Sequence, residues 1–202
     1  MNSKMMVLVA VLACLGSSCG STGTSEAPDV SGLSEDEILV RMTAYMTPGA
    51  QQAQLLERVG TWSVRTSMWM EPGGEVTVAE GRAVLEPVLD GRFLRETLSG
   101  TAMGMPFLGE GLTGFDNATK QYMTAWIDSL GTGMVFATGT ANRDGHELVL
   151  EGSMTDAIHG GVIHARFVTT RISIDEYRFE IWMLATDDQP EWKSMESLYT
   201  RT

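Results

Sequence analysis

From residue 61 to the end of the chain, apolar and polar residues alternate in short runs that are separated by turn-forming residues. Alternation with a period of two is typical of β-strands that bury one face, and clusters of Gly, Pro, Asn and Asp mark the turns between them. The pattern predicts ten strands, at residues 61–70, 76–88, 92–103, 109–116, 121–128, 133–141, 146–155, 161–172, 176–185 and 191–201. Because the turns are short, consecutive strands are expected to be antiparallel neighbours.

A helical lead-in precedes the strands. Residues 34–37 (SEDE) have the form of a capping box with acidic residues in the first turn. The apolar residues that follow at helical spacing are Ile38, Leu39, Met42 and Tyr45. They predict a helix that ends before Pro48-Gly49. A second, shorter helix is predicted over residues 50–59, and Gly60 ends it.

Ten antiparallel strands after a helical lead-in predict an all-β fold, namely a closed, up-and-down antiparallel β-barrel. Closure is favoured because it removes the exposed edges that an open sheet would leave. A sandwich of two sheets is the alternative. A chain of 202 residues suits a single domain of this kind, and we place that domain at residues 35–202.

The first 19 residues have the features of an export signal rather than of a folded element. An unbroken apolar run of eleven residues, Met5–Leu15, is too short to cross the hydrocarbon core of a membrane, which takes about 20 residues. Together with the small residues before Cys19, the run resembles a bacterial lipoprotein signal, in which cleavage precedes a cysteine that becomes lipidated. Cys14 also fits such a signal, and an ordinary secreted protein is a further alternative.

We therefore expect residues 1–18 to be a lipoprotein signal peptide and Cys19 to carry the lipid. Residues 19–34 are rich in Gly, Ser and Thr, a composition that is typical of a flexible tether. Two acyl chains are enough for stable anchoring to a membrane. The expected location is the periplasmic side of the bacterial cell envelope, with the membrane as a partner through the lipid anchor.

The charge balance and the cysteine positions exclude several classes of function. Lys and Arg number 14 against 26 Asp and Glu, which gives a net charge of −12. A nucleic-acid backbone repels such a surface, and the basic residues form no run, so we predict no nucleic-acid partner. No cysteine follows Cys19. A disulfide, a cysteine metal site and a cysteine nucleophile are therefore excluded within the domain.

The first and the last predicted strands contain residues that are expected to contact each other. Gly60-Thr61-Trp62 opens the first strand directly after a helix, and Arg201 lies at the end of the last strand. This arrangement resembles the lipocalin-like, or calycin, superfamily, in which a basic residue of the final strand packs across the tryptophan of a Gly-x-Trp motif. A guanidinium over an indole face contributes about 0.5–2 kcal/mol, so the pair would join the first strand to the last.

A closer resemblance covers about residues 50–201. The segments that carry it include 91–94 (GRFL), 106–111 (PFLGEG), 114–117 (GFDN) and 126–129 (WIDS). They are similar to the bacterial domain of unknown function 1579 family. That family often has a histidine about eight residues before the Gly-x-Trp motif, where this chain has Gln52. The resemblance implies a lipocalin-like domain and no established activity.

Polar and aromatic residues of the later strands, together with the closure pair, form the candidate ligand-binding set. Its members are Trp62, Tyr122, Trp126, Asp128, Glu180, Trp182, Lys193, Tyr199 and Arg201. Residues of one strand that share parity point to the same side of the sheet. If they face inward, their charges must be paired, so Asp128 or Glu180 would meet Lys193 or Arg201. A network of ion pairs that fixes strand register is the alternative interpretation.

The favoured functional hypothesis is non-enzymatic binding of a small apolar or amphipathic molecule inside the barrel. The superfamily resemblance and a rim rich in Gly and Met within residues 100–114 motivate it. One alternative is a hydrolase- or isomerase-type enzyme with Asp128 or Glu180 as general base. Another is a structural or interaction lipoprotein with a filled barrel. The sequence has no nucleophile or phosphate-loop signature, so we assign no catalytic residue.

The three histidines do not have the partners of a convincing metal site. His159 and His164 flank two glycines near Asp156, without a cysteine or a second carboxylate at ligand spacing. We therefore predict no metal and no cofactor. Haem-binding barrels also occur in the superfamily, and His164 is the best-placed axial candidate for that alternative.

Overall fold

The computed structural model describes residues 32–157 and 160–202. The chain divides into two units, residues 1–38 and residues 39–202, and the sheet lies wholly in the second unit. The two helices are α1 (Glu35–Met46) and α2 (Ala50–Leu56). The ten strands are β1 (Gly60–Trp69), β2 (Val76–Val88), β3 (Phe93–Ala102), β4 (Met105–Asp116), β5 (Gln121–Asp128), β6 (Val135–Ala141), β7 (Glu147–Thr155), β8 (Val162–Arg171), β9 (Glu176–Met183) and β10 (Trp192–Arg201).

The strands close into a single barrel in the order β1-β10-β9-β8-β7-β6-β5-β4-β3-β2. Every neighbouring pair is antiparallel, and β1 pairs with both β2 and β10. Trp62 lies opposite Arg201 on one side and opposite Ala83 on the other. The all-β antiparallel barrel is confirmed, and the two-sheet sandwich is wrong. Among the described residues, no helix is long and apolar enough to cross a membrane.

Two element boundaries differ from the prediction by three residues or more. Strand β4 begins at Met105 rather than at residue 109, because Met103 and Gly104 form a tight turn. Both residues have positive φ, 51° and 75°, and Ala102 pairs directly with Met105. A non-glycine residue at positive φ is uncommon, so the turn was not evident in the sequence. Helix α2 ends at Leu56, three residues early, and a short link that contains Arg58 leads into β1.

Helix α1 begins with the predicted capping box. The Ser34 hydroxyl accepts a hydrogen bond from the backbone N–H of Glu37 at 3.3 Å, and the Glu37 carboxylate accepts one from the backbone N–H of Ser34 at 2.8 Å. The predicted apolar stripe remains exposed, since Leu39 is 63% and Tyr45 is 59% exposed. At the end of this helix, the Asn117 amide donates to the Thr47 carbonyl at 2.8 Å.

Helix α2 packs at the end of the barrel where β1 starts. Leu55 and Gln52 are its buried residues. The Gln52 amide donates to the Phe115 carbonyl at 3.0 Å and accepts from the backbone N–H of Gly49 at 2.8 Å. Gln52 therefore ties the helix to β4. The most deeply buried large side chains, Trp62 and Leu85, lie near the same end.

Candidate functional site

The barrel encloses a cavity of about 340 Å³. It lies between the end of the barrel where α2 packs and the hairpins at the opposite end. Most of its wall is apolar. Representative wall residues are Leu98, Phe107, Val135, Leu150, Phe179 and Ile181. Cavities of about 300–1,000 Å³ with apolar walls and a few polar groups are typical of small-molecule sites. The side chains that the structure describes therefore leave space inside the barrel.

Small residues on the inner face make room for the cavity and for one large aromatic side chain. Trp126 lies across strand β4, where a Cβ added to Gly111 would come within 2.9 Å of the indole. Gly100 also lines the cavity, and a Cβ there would meet the Glu80 carbonyl at 2.5 Å. A larger side chain at either position would force the strand pair or the indole to move.

A stack of aromatic rings forms the inner end of the cavity. The rings of Tyr177 and Tyr199 are stacked with centroids 4.2 Å apart, and Trp62 meets Tyr177 edge-on at 4.9 Å. On the other side of the indole, the Arg201 guanidinium carbon lies 4.1 Å from the ring centroid of Trp62. This contact confirms the predicted closure pair.

The polar groups of the closure pair are used within the barrel wall. The indole N–H of Trp62 donates to the Arg58 carbonyl at 2.9 Å, and Trp62 is only 1% exposed. Arg201 donates to the Val59 carbonyl at 2.8 Å and forms an ion pair with Asp175 at 3.0 Å. Neither side chain lines the cavity. Trp62 and Arg201 thus lie behind the aromatic stack.

A carboxyl group faces the cavity beside the two tyrosines. The Tyr199 hydroxyl donates to Glu96 Oε1 at 2.8 Å. Burial raises the pKa of Glu96, although the Tyr199 hydrogen bond and the charge of Arg58 oppose the shift. Removal from water disfavours the charged form of a carboxyl group, so this site shifts Glu96 toward the protonated acid.

Two further polar groups, the Tyr177 hydroxyl and the Arg58 guanidinium, lie at this end of the cavity. The Tyr177 hydroxyl is buried, and within the described residues it makes no hydrogen bond. Burial raises the pKa of Tyr177 well above its usual value, and so does the nearby Glu96. The Arg58 guanidinium lies 5.8 Å from the Tyr177 ring centroid and has no ion pair among residues 32–157 and 160–202. Arg58 lines both the cavity and a small crevice beside α2.

The structure places Tyr122, Trp126 and Asp128 on the inner face of β5, as their shared parity predicts. Tyr122 lies in the packed end, and its hydroxyl donates to Gln54 at 3.1 Å. Trp126 and Asp128 line the cavity. The Trp126 N–H donates to one Asp128 oxygen at 3.0 Å, and the other oxygen accepts the Leu130 N–H at 2.9 Å.

The remaining three candidates, Glu180, Trp182 and Lys193, lie on the outer face of the barrel, so an inward orientation is wrong for them. Strand β9 turns Tyr177, Phe179 and Ile181 toward the cavity, and the residues between them point outward. On β10, the register shifts between Lys193 and Met195, which brings Lys193 and Glu196 to the same face. A β-bulge of this kind inverts the parity that the sequence suggests.

These outer residues form a self-contained cluster. Lys193 Nζ lies 2.9 Å from Glu180 and makes a second ion pair with Glu196. Burial lowers the pKa of Lys193, but its bonds to the two carboxylates outweigh burial and raise the pKa overall. Lys193 also lies over the Trp69 and Trp182 rings, at 5.8 Å and 5.7 Å. The predicted meeting of Glu180 with Lys193 occurs, but outside the barrel.

The enzymatic alternative named Asp128 or Glu180, of which only Asp128 lines the cavity, and the haem alternative named His164, which does not line it. Glu180 belongs to the outer cluster. His164 is exposed on the outer face of β8, where its Nδ1 lies 3.2 Å from the Ser153 hydroxyl. A haem iron inside the barrel would therefore find no ligand in His164. His159 lies outside the described residues, and within them no cluster of three His, Cys, Asp or Glu could hold a metal ion.

Sequence reasoning missed Glu96, Tyr177 and Arg58. The signal for Glu96 was its position between Leu94 and Leu98, where a charged residue shares the parity of two apolar neighbours. Tyr177 likewise shares parity with apolar positions on β9. Arg58 gave no signal, because it lies in the irregular link between α2 and β1.

Two solved structures are similar to this chain, and the first of them supports the fold. The crystal structure of Rv2717c from M. tuberculosis superposes with a TM-score of 0.54 at 17% sequence identity, covering 77% of this chain and 99% of that one. A redesigned beta barrel covers 75% of this chain and 96% of its own length, with a TM-score of 0.37 and 16% identity. No curated protein sequence matches. The family model for the protein of unknown function DUF1579 matches residues 47–201, so the chain belongs to that family.

Proposed function

We propose that this protein binds a small amphipathic molecule inside the barrel. The observation that carries the proposal is the cavity of about 340 Å³, whose wall is mostly apolar and whose inner end includes the Tyr177 hydroxyl, which has no hydrogen-bond partner among the described residues. Apolar area removed from water supplies binding free energy, and a few polar groups orient the guest. Met68, Met154 and Met195 also line the wall. Flexible thioether side chains of this kind adapt to guests of different shape.

Filling the cavity tests this proposal. Thr113 lines the cavity, and its hydroxyl lies 3.0 Å from that of Thr124. Thr138 is exposed on the outer face of β6. Thr113→Phe and Thr138→Phe therefore make the same chemical change inside and outside the barrel. Native mass spectrometry of the full chain with decanoate and decan-1-ol, together with thermal unfolding to check the fold, compares the two variants.

The proposal expects the wild-type chain and Thr138→Phe to retain at least one of these guests. Thr113→Phe is expected to lose it while unfolding cooperatively. Equal retention by both variants would place the guest outside the cavity. Absence of any bound mass in the wild-type chain would favour the alternative of a structural or interaction protein.

We also propose that the barrel is held at the periplasmic side of a bacterial membrane by a lipid on Cys19. This rests on the apolar run Met5–Leu15 and the small residues before Cys19, which lie outside the described residues. The test is fractionation of expressing cells, in which Cys19→Ala is expected to release the protein from the membrane and Cys14→Ala is not. The reverse pattern would move the lipid to Cys14, and retention of both variants would contradict the anchor.

A further inference from the structure

We propose that the guest is a single-chain amphiphile with a carboxylate head, which the Arg58 guanidinium and the Tyr177 hydroxyl hold at the inner end of the cavity. This inference rests on the proposed function, because it names the class of molecule that the same cavity takes. It commits to a head group and to its orientation, with the chain extending toward the opposite hairpins.

The Tyr177 hydroxyl is the first support. Tyr177 is 4% exposed, lines the cavity, and its buried hydroxyl makes no hydrogen bond among the described residues. A buried donor left without a partner is costly, and most such groups in native proteins are satisfied. Because the described residues leave this hydroxyl without a hydrogen-bond partner, a guest that brings an acceptor to the inner end would supply the missing bond.

The charge of Arg58 is the second support. Arginine is permanently charged, and partly buried guanidinium groups are normally paired. Among residues 32–157 and 160–202, Arg58 has no ion pair, although its charge opposes the raised pKa values of Glu96, Tyr177 and Tyr199. All four side chains line the cavity. An anionic head beside them would give Arg58 the ion-pair partner that it lacks among the described residues.

The charged and polar side chains at the inner end of the cavity favour an anionic head group over a cationic or a neutral one. Glu96 already accepts the Tyr199 hydroxyl, and burial shifts it toward the neutral acid. Among the described residues that line the cavity, Arg58 is the only Lys or Arg side chain. An ammonium head would meet a like charge there, and an alcohol head would leave Arg58 unpaired. A carboxylate forms charge-assisted hydrogen bonds with a guanidinium, which are stronger than those of neutral groups.

The remaining wall fits the apolar chain of such a molecule. Leu98, Leu150, Ile181, Met68 and Met195 are apolar members of the cavity wall. A volume of about 340 Å³ lies at the lower end of the range for small-molecule sites. Medium-chain molecules are therefore suitable probes, and decanoate, decan-1-ol and decylamine differ only in their head groups.

The test is calorimetric titration of the full chain with these three compounds. Decanoate is expected to bind at least about tenfold more tightly than decan-1-ol, the effect of one charged hydrogen-bonded contact, and decylamine the most weakly. Arg58→Gln is expected to remove this preference, and to leave the Kd of decan-1-ol within about threefold of the wild-type value. Arg65→Gln, at an exposed position of β1, is the matched control and should change nothing.

Tyr177→Phe is a second variant, and it leaves unchanged the link between α2 and β1 that contains Arg58. It is expected to weaken decanoate binding several-fold while the fold is retained. If decan-1-ol and decanoate bind equally, and Arg58→Gln affects neither, the head-group inference is wrong and the cavity function stands. Tightest binding of decylamine would assign the head to Glu96 instead. If none of the three binds, both the inference and the proposed function are wrong.

Discussion

Two carboxylates of the barrel, Glu96 and Glu180, lie on opposite faces of its wall and have different surroundings. Glu180 on the outer face is 8% exposed and lies 2.9 Å from Lys193 and 3.8 Å from Arg178. Glu96 on the inner face contacts the Tyr199 hydroxyl at 2.8 Å and has no ion pair among the described residues. The outer carboxylate is satisfied by its own fold, whereas the inner group belongs to an end of the cavity that still has hydrogen bonds and charge to offer.

The difference separates a structural role from a binding role. Removing one member of a satisfied cluster leaves the others buried and unpaired, so the cost appears as lost stability. Changing a member of an incomplete cluster affects stability less, and its main effect is expected on binding. Variants of Lys193, of the two stacked tyrosines and of Glu96 test this separation, in order of decreasing effect on the free energy of unfolding.

The largest effect is expected from Lys193→Met. The variant leaves Glu180 and Glu196 facing each other across β9 and β10 without the shared ammonium group. We expect a loss of about 2 kcal/mol in the free energy of unfolding, measured by urea denaturation, with decanoate binding unchanged. Arg95→Met, which breaks an exposed pair with Glu86, is the control and should lower the free energy of unfolding clearly less, because exposed ion pairs contribute little to stability. Equal losses in the two variants would contradict a structural role for the outer cluster.

The next expected effect is a gain in the free energy of unfolding rather than a loss. Tyr177→Phe deletes a buried hydroxyl that makes no hydrogen bond within the described part of the chain. We expect the variant to be more stable than the wild type by about 1 kcal/mol in the absence of a guest. Tyr199→Phe deletes a hydroxyl from the same aromatic stack that does donate to Glu96, and it is expected to be less stable by about 1 kcal/mol. Urea denaturation of both variants measures the two changes in the free energy of unfolding. Changes of the same sign would contradict this prediction.

The smallest effect is a dependence on pH. The pKa of Glu96 is raised in the folded chain by burial, so folding favours the protonated acid. Its contribution to stability is complete below the unfolded pKa and is lost as pH rises through the folded pKa. The charged and titratable groups that face it are Tyr199 from β10, Tyr177 from β9 and Arg58 from the link before β1.

Glu96→Gln retains an acceptor for Tyr199 and cannot titrate. The wild type is therefore expected to lose stability relative to Glu96→Gln as pH rises above the usual glutamate range of about 4–5. Urea denaturation of both chains at a series of pH values measures the difference. A constant difference, or a wild type that gains stability relative to the variant, would contradict the raised pKa.

The sequence was sufficient for the architecture because its signals are local. Period-two alternation and explicit turns located ten strands, and the Gly-x-Trp motif with Arg201 predicted where the barrel closes. The tight turn at Met103-Gly104 escaped prediction because a methionine at positive φ leaves no compositional signal. The link that holds Arg58 escaped for a similar reason, since nothing in its sequence shows that it caps a cavity.

The candidate site was only partly predictable, because parity shows which residues share a face but not which face is inward. On β5 the choice of Trp126 and Asp128 was right. On β9 the apolar set that ends at Ile181 faces inward, which places Glu180 outside. The bulge before Met195 then reversed the parity of Lys193. Which charges lie inside a barrel depends on closure and bulges, and these are properties of the whole sheet.

The most direct test of a guest inside the barrel is an isotope-filtered NMR experiment on the labelled full chain with decanoate. We predict contacts from the decanoate chain to the methyl groups of Leu98, Leu150 and Ile181, which line the cavity. Leu112 lies on the outer face of β4 and is 41% exposed. Contacts to Leu112 and similar outer methyl groups, without contacts to the three inner residues, would contradict binding inside the cavity.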